Sequence, residues 1–206
     1  MRLLLATSNI HKAKELKLIL SDYAGLDILT FQDIPKISLV HEDGRTFEEN
    51  AVKKAVVYAK QSGFLAVADD SGLCVDALGG APGVHSARFA GDERNDLANC
   101  EKLLKLLSGV PHKKRTAHFE CRIAFAGKKG LIASVSGNVK GFIAEELKGK
   151  NGFGYDPLFL YPELNQTFAE ISSDLKNLIS HRAKALAAFK KILSDYFDTQ
   201  KKNLDI

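Results

Sequence analysis

Two adjacent aspartates, Asp69 and Asp70, follow a run of small apolar residues in the stretch FLAVADDSGLCVDALGGAPG (64–83). Neighbouring carboxylates repel each other unless a cation, a water molecule or a hydrogen-bond donor relieves them. Successive strand side chains point to opposite faces, so a strand that continues through the doublet gives the two acids different surroundings. Mg2+ takes carboxylate oxygens together with waters and substrate phosphates. The doublet therefore predicts one acid for a metal or an activated water and one structural acid, although Asp-Asp-Ser-Gly also suits a plain turn.

Two further segments carry charge at the start of a helix. The segment ATSNIHK (6–12) lies where a strand leads into a helix, and free N–H groups at a helix N-terminus favour an anion, to which Lys12 adds a positive charge. It lacks the Gly-x4-Gly-Lys pattern of a P-loop, and the alternative is a helix capped by Ser8 or Asn9 with Lys12 in solvent. The loop acid Glu42 precedes the capping box of Thr46 and Glu49, where it could complete a metal site or be a solvated surface acid.

The C-terminal half contains two segments typical of nucleotide binding. In GFGYDP (152–157) two glycines allow close backbone approach to a ligand, and two aromatic rings could stack on a flat base or fill the edge of a core. In LKNLISHR (175–182) His181 and Arg182 fall in the first turn of the last helix, where cations are disfavoured. That conflict between local preference and sequence indicates either function or an accident of the surface.

The rest of the sequence predicts the elements that position these residues. Apolar periodicity indicates strands at 2–6, 28–31, 37–40, 65–68 and 73–75, a hairpin of 116–126 and 131–140, helices at 11–21, 46–62, 92–107, 144–147 and from 180 onward, and an extended segment at 155–161. Leu97, Leu103, Leu104 and Leu107 are the predicted buried residues of the third helix. Alternating strands and helices with an antiparallel hairpin predict an α/β fold with a mixed sheet. We expect one domain over 1–198 and a flexible tail over 199–206.

Composition excludes several classes of protein. The 206 residues are 45% hydrophobic and 26% charged, which is typical of a globular chain, and no apolar run reaches the ~20 residues that a membrane span needs. The N-terminus MRLLLATSN predicts a strand and no export signal. Three cysteines without metal-like spacing predict reduced thiols and a cytoplasmic protein. The net charge of +4 and the basic runs at 113–115 and 201–202, which lack interleaved aromatics, predict no nucleic-acid partner.

Five segments in this order resemble the inosine/xanthosine triphosphate pyrophosphatase family, enzymes that remove deaminated purine nucleotides. The matching text is TSNIHK (7–12), EDGRTFEENAVKKA (42–55), ADDSGLCVDALGGAPGVHSARFAG (68–91), GFGYDP (152–157) and LKNLISHRAKAL (175–186). The match spans nearly the whole chain. One departure is LKGKN (147–151), where the family usually has Pro-Arg-Gly or similar, so Lys148 or Lys150 could supply the charge of that arginine but not its forked donors.

The resemblance implies an elongated mixed β-sheet with flanking helices, two lobes around a central nucleotide-binding cleft, and a homodimer. It implies hydrolysis of ITP, dITP and XTP to the monophosphate and pyrophosphate, with one or more Mg2+ per subunit. Asp70 is implied as the catalytic acid and, with Glu42, as a metal ligand. The implied substrate-binding residues are Thr7, Ser8, Asn9, Ile10, His11, Lys12, Ser71, Phe153, Gly154, Tyr155, Asp156, Lys176, His181 and Arg182.

Charge and hydrogen bonding fit that chemistry. A triphosphate with Glu42 and Asp70 carries about −6, against about +5 from one Mg2+ with Lys12, Lys176 and Arg182, so Lys53, Lys54 or a second Mg2+ would balance the site. Hypoxanthine and xanthine present an O6 acceptor where adenine presents an amino donor, so a site built on donors rejects adenine.

Two other functions remain open. One is a pyrophosphatase for other modified nucleotides, such as modified pyrimidines, which a substrate panel distinguishes. The other is a non-catalytic nucleotide sensor, which the retained acids and the three cations Lys12, Lys176 and Arg182 disfavour.

Overall fold

The computed structural model describes residues 1–20, 23, 25–34, 37–91, 93 and 95–202. Its helices and strands are, in chain order, β1 (Arg2–Leu5), α1 (Ile10–Leu20), β2 (Asp27–Leu29), α2 (Phe47–Ser62), β3 (Leu65–Val75), α3 (Asp96–Leu106), β4 (Thr116–Gly127), β5 (Gly130–Ile143), β6 (Phe159–Tyr161), β7 (Gln166–Thr167), α4 (Ser173–Ile179) and α5 (His181–Lys202). Short 3-10 turns lie at Phe31–Asp33, Asp76–Leu78, Gly83–Arg88 and His112–Lys114.

The strands form one mixed sheet in the order β2-β1-β3-β4-β5-β6-β7. β1 pairs in parallel with β2 and with β3, where Leu4 lies opposite Leu29 and Ala66. β6 pairs antiparallel with β5 and with β7. The parallel pairs follow from crossovers through α1 and α2, and β4 leads into β5 through the two residues Lys128 and Lys129. The predicted α/β fold with a mixed sheet is confirmed.

The chain divides into two compact units. Unit 1 consists of 1–70, 122–137 and the described part of 184–206, and unit 2 consists of 71–121 and 138–183. The expectations of one domain over 1–198 and of a central cleft stay predictions. Helix α5 continues to Lys202, and 203–206 lie outside the described residues.

Unit 1 packs α2 against the first strands through small side chains. Its buried cluster is mostly alanine, which lets the helix lie close to the sheet: Leu4, Ala6, Ala51, Ala55, Tyr58, Ala59, Ala66, Ala68, Ala124 and Ala126. Thr46 caps α2 by accepting a hydrogen bond from the Glu49 N–H at 3.1 Å, and Gly63 ends it in the left-handed conformation. The predicted capped helix over 46–62 is therefore confirmed.

Unit 2 has a larger-residue core that includes α3. Phe119 is packed with Phe159 and Phe168 at ring-centroid distances of 4.6 and 6.1 Å, and Leu103 and Leu107 are fully buried. Large aromatic side chains bury the most apolar area for each ordered residue, which suits a unit with short strands such as β6 and β7.

Several predicted elements are wrong, for identifiable reasons. No strand forms at 37–40, because the backbone N–H groups of Ser38 and Val40 donate to the side chains of Gln61 and Tyr58 on α2. No helix forms at 144–147, because Ala144 N–H pairs with the Leu158 carbonyl. The predicted extended segment 155–161 is a turn that becomes strand only at β6, and α4 was not predicted.

Helix α3 starts later than predicted and presents a different face. It begins at Asp96, and Asp92 lies outside the described residues. Leu97 is 56% exposed, because the buried face of the helix contains Asn99, Cys100 and Leu103 instead.

Among the described residues no helix is both long and apolar enough to cross a membrane. All three cysteines are free thiols.

Candidate active site

Strand β3 continues through the aspartate doublet, and the two acids have different partners. Asp69 and Asp70 are both buried near the middle of an 11-residue strand, so neither is a simple turn residue. The Asp69 carboxylate pairs with Lys12, whose Nζ lies 2.9 Å from Asp69 Oδ2. The Asp70 carboxylate accepts a hydrogen bond from Asn50 Nδ2 at 3.0 Å. The predicted separation of the two acids by strand alternation is confirmed as a difference in their partners.

The start of α1 brings Lys12 to Asp69. Asn9 Oδ1 accepts from the Lys12 backbone N–H at 3.2 Å, and Thr7 Oγ1 accepts from the Asn9 N–H at 3.2 Å, so this turn is fixed by its own side chains. The Lys12 side chain is only 14% exposed and that of Asp69 is 0% exposed. The helix cap by Asn9 is therefore present, and the alternative that left Lys12 in solvent is wrong. Ser8 and Ile10 are exposed, and the side chain of His11 lies outside the described set.

Helix α2 contributes two polar residues to the same cluster. Asn50 and Lys54 are one turn apart and face the same direction as Ala51 and Ala55, within the otherwise apolar buried side of the helix. Lys54 Nζ donates to the Asp69 carbonyl at 2.7 Å and lies 3.3 Å from Glu42 Oε1 and 3.6 Å from Asp70 Oδ1. Lys54 therefore bridges the loop acid and the strand acid.

Burial and charge act in opposite directions on the ionisation of this cluster. Burial raises the pKa of Asp70 above its usual value, and the nearby Lys54 and Lys12 ammonium groups and the Asn50 hydrogen bond only partly oppose that rise. For Lys54, burial acts to lower the pKa, but the carboxylates of Asp70, Asp69 and Glu42 together outweigh burial and raise it. One lysine shared among several acids stays charged, while a buried acid without a full positive partner is easier to protonate.

The donor set fits Mg2+. The two lysines Lys12 and Lys54 face three carboxylates, so the fully ionised cluster carries one net negative charge. Glu42 and Asp70 offer hard oxygen ligands, and an added cation would offset the cost of burying the ionised Asp70 carboxylate. Within the described ranges no three His, Cys, Asp or Glu side chains form a metal cluster. Mg2+ does not need one, since it is commonly held by one or two carboxylates plus substrate phosphates.

Unit 2 brings together a second group of predicted residues. Asp156 Oδ2 accepts from the Phe153 N–H at 2.8 Å and from Lys176 Nζ at 2.5 Å, and both charged side chains are buried. Lys176 Nζ also lies 4.6 Å from the centroid of the Phe153 ring, within cation–π range. A Cβ on Gly152 would lie 2.0 Å from Asp156 Oδ2, so only glycine allows this turn. The buried Asp156 carboxylate therefore fixes both the backbone of the loop at Phe153 and the side chain of Lys176.

The first turn of α5 contributes to the same group. Arg182 Nη2 donates to Ser71 Oγ at 2.9 Å, and its guanidinium carbon lies 5.8 Å from the Phe153 ring centroid. His181 is stacked on Phe119 at 4.7 Å with the rings 12° apart. Ser180 Oγ accepts from the Ala183 N–H at 3.1 Å and caps the helix. His181 and Arg182 are both buried, so they are not an accident of the surface.

Other predicted residues have mainly structural contacts. The Tyr155 hydroxyl is buried and donates to the Ser86 carbonyl at 2.9 Å, and burial raises the pKa of Tyr155. The backbone N–H of Gly154 donates to Asp96 Oδ2 at 2.7 Å. Lys148, one of the two lysines expected near the family arginine, pairs with Glu146 at 3.3 Å, and its side chain is half exposed.

Sequence reasoning missed Asn50 and left Lys54 as one of three alternatives, beside Lys53 and a second Mg2+. Lys53 pairs instead with Asp43 at 2.6 Å and is 39% exposed. The available signal was the helical period: Asn50 and Lys54 are four residues apart on the side of α2 that carries the alanines. A lysine on the buried face of a helix needs acidic partners, which the doublet supplies.

Comparison with known proteins gives consistent results. A model of the Ham1 family matches residues 3–192. The dITP/XTP pyrophosphatase of Desulforamulus reducens is 53% identical over 194 residues, which cover 94% of this chain and 96% of that protein.

Solved structures also match over nearly the full length. The Ham1 protein of Staphylococcus aureus has a TM-score of 0.86 at 38% identity and covers 95% of this chain and 100% of its own. A nucleoside-triphosphatase / dITP/XTP pyrophosphatase of Mycobacterium abscessus has a TM-score of 0.78 at 42% identity and covers 92% and 98%.

Proposed function

The chain belongs to the Ham1 family, and we propose that it hydrolyses non-standard purine nucleoside triphosphates (dITP, ITP and XTP) to the monophosphate and pyrophosphate. The relatives that match over more than nine-tenths of the chain are named dITP/XTP pyrophosphatases. The observation that carries the proposal within the molecule is the buried Asp70 carboxylate, which accepts from Asn50 and shares the Lys54 ammonium group with Glu42.

We assign the phosphate end of the substrate and Mg2+ to the unit 1 cluster. Glu42 and Asp70 would hold the metal, which when bound supplies positive charge against the phosphates and the leaving pyrophosphate. Lys12 and the turn from Thr7 to Lys12 would bind phosphate oxygens, because Asp69 fixes the Lys12 ammonium group in place. Lys54 keeps Glu42 and Asp70 near each other before a cation binds.

We assign the water-orienting role to Asp70. Water adds to the α-phosphorus, the bond from that phosphorus to the bridging oxygen breaks, and pyrophosphate leaves with the bond's electron pair. Asp70 takes a proton from the attacking water or fixes its lone pair in line with the leaving group. Asn50 donates to Asp70 Oδ2, which restricts the rotation of the carboxylate and directs Oδ1 to the side on which Lys54 lies.

We assign the purine base to the unit 2 group. The Phe153 ring offers a stacking surface, and Lys176 and Arg182 offer donors to the O6 and O2 acceptors of hypoxanthine and xanthine. These donors would face the adenine amino group donor to donor, which disfavours ATP. The buried Asp156 partly compensates their charge and keeps the lysine oriented.

The remaining expectations belong to the same proposal. We propose a homodimer of cytoplasmic subunits, each with one or more Mg2+, and no nucleic-acid partner. The reading of a non-catalytic sensor is disfavoured because such a protein has no need to keep Asp70 ionisable beside Lys54 and Glu42.

A substrate panel tests the proposed function. Pyrophosphate release is measured from ITP, dITP, XTP, GTP, ATP and a modified pyrimidine triphosphate, each with millimolar Mg2+ and with EDTA. We expect turnover of ITP, dITP and XTP well above that of ATP and GTP, and none with EDTA. Preference for the pyrimidine would support the alternative pyrophosphatase, and no release from any nucleotide would support the sensor.

A further inference from the structure

Helix α3 contacts both backbone polar atoms of one residue in the glycine-rich loop, the N–H and the carbonyl of Gly154. Asp96 Oδ2 accepts from the Gly154 N–H at 2.7 Å, and Cys100 Sγ lies at hydrogen-bond distance, 3.4 Å, from the Gly154 carbonyl oxygen. The two residues are four apart and therefore share one face of the helix. This loop segment includes Phe153, the stacking ring in the proposed base site.

Cys100 can act only as a donor in this contact. Burial raises the pKa of its thiol to about 12, and Asp96 and Asp156 add to the rise, so the group keeps its proton at any physiological pH. A protonated thiol can donate to the Gly154 carbonyl, while Asp96 accepts from the N–H of the same residue. Donor and acceptor are thus matched to the two ends of one glycine.

Gly154 itself needs this support. It adopts a φ of +63° and Gly152 a φ of +76°, so the backbone on both sides of Phe153 is in the left-handed region. Glycine has wide conformational freedom, and external hydrogen bonds are needed to select one conformation from many. Asp156 fixes the Phe153 N–H from one side, and the α3 pair fixes the next residue from the other.

We infer that Asp96 and Cys100 are positioning residues that orient Phe153 for the purine base by fixing the backbone N–H and carbonyl of Gly154. The inference rests on the proposed role of Phe153 in base binding. It predicts a specific pattern: loss of the clamp weakens binding of ligands that have a base and leaves ligands without a base unaffected.

The test compares substrate kinetics with inhibition by inorganic tripolyphosphate, which has the phosphates and lacks the base. In Asp96→Ala we expect the KM for dITP to rise about tenfold, as for loss of one hydrogen bond to a charged group, with kcat within about twofold. The inhibition constant of tripolyphosphate is expected to stay within about twofold of the wild-type value. Asp96→Asn keeps an oxygen acceptor and is expected to restore KM to within about threefold.

Two controls separate positioning from general stability. Asp174→Ala removes the corresponding first-turn acid of α4, which is exposed, and is expected to leave KM unchanged. Cys100→Ala removes the second contact independently and is expected to raise KM about threefold, because thiol hydrogen bonds are weaker.

The outcomes distinguish this inference from the proposed function. Absence of dITP hydrolysis in the wild-type protein overturns the proposed function and the inference together. If the wild type is active, an unchanged KM in Asp96→Ala overturns the inference alone. So does an equal weakening of dITP and tripolyphosphate, or a failure of Asp96→Asn to restore KM. If Asp96→Ala does not fold, the same criteria apply to Cys100→Ala.

Discussion

The unit 1 cluster and the unit 2 group carry net charges of opposite sign. The unit 1 cluster has three carboxylates against two lysines and carries one net negative charge when ionised. The unit 2 group has Lys176 and Arg182 against Asp156 and carries one net positive charge. Unit 1 is packed with alanines around its charges, whereas unit 2 has an aromatic ring within cation–π distance of both cations.

The difference explains which ligand each group suits. A negative cluster with hard oxygen donors attracts Mg2+ and, through it, phosphates. A positive group next to a phenyl ring suits a flat molecule rich in hydrogen-bond acceptors. The comparison therefore separates the chemistry of phosphate cleavage from the choice of base, and each of the following substitutions tests one side of that separation.

The largest expected effect is that of Asp70→Asn on turnover. We expect kcat for dITP to fall about a thousandfold, as for loss of a positioned base, while nucleotide binding measured by calorimetry persists. Because burial raises the pKa of Asp70, removing its charge should not lower the melting temperature measured without metal. Asp43→Asn, an exposed loop acid, is the control for loss of charge, and near-normal turnover in Asp70→Asn would refute its role.

Lys54→Met is expected to have the largest effect on stability. It leaves the buried Asp70 carboxylate and the Asp69 backbone carbonyl without their shared partner, and removal of one member of a buried charge cluster costs about 4 kcal/mol. Chemical denaturation measures the free energy of unfolding. Lys53→Met changes the neighbouring exposed lysine and should cost less than about 1 kcal/mol. Equal losses in the two variants would contradict the central position of Lys54.

Asp69→Asn should act on stability more than on turnover. It removes the partner of the poorly exposed Lys12 and should cost about 3 kcal/mol of unfolding free energy. We expect kcat to fall less than about tenfold, because the Asp69 carboxylate pairs with Lys12 and the proposed water-orienting acid is Asp70. A thousandfold loss of kcat here would mean that the two neighbouring acids share the chemistry.

Phe153→Leu is expected to have the smallest effect, and it tests the base-binding role proposed for the unit 2 group. Loss of base stacking is expected to raise the KM for dITP about tenfold with kcat nearly unchanged. Steady-state kinetics measure both constants. Phe142→Leu replaces a phenylalanine of the same unit that is stacked on His112 and serves as the control. A fall in kcat without a change in KM would place Phe153 outside the base site.

Local sequence rules predict much of the difference between the unit 1 cluster and the unit 2 group. Strand alternation separates Asp69 from Asp70, and the capping signals place α2 within one residue of its observed start. The misfit of Arg182 in a first helical turn correctly indicates a buried role. Each of these inferences uses residues that are close in the chain.

The parts that could not be predicted depend on contacts between distant residues. Asp156 pairs with Lys176 twenty residues away, and this contact exists only after the Gly152 and Gly154 turns are formed. The segment 37–40 is apolar enough for a strand, but its N–H groups bind α2 side chains that no local pattern identifies. Asn50 and Lys54 fall between these cases, since their helical spacing was visible and their partners were not.

The most direct test of the separation is the ratio of kcat/KM for dITP to that for dATP, measured in Asp70→Asn and Arg182→Ala. We predict that Asp70→Asn lowers both values by the same factor and leaves the ratio within about twofold of wild type. Arg182→Ala should reduce the ratio about tenfold or more, because it removes a donor to the O6 acceptor. A ratio that shifts in Asp70→Asn, or that stays constant in Arg182→Ala, would contradict the division of roles between the two units.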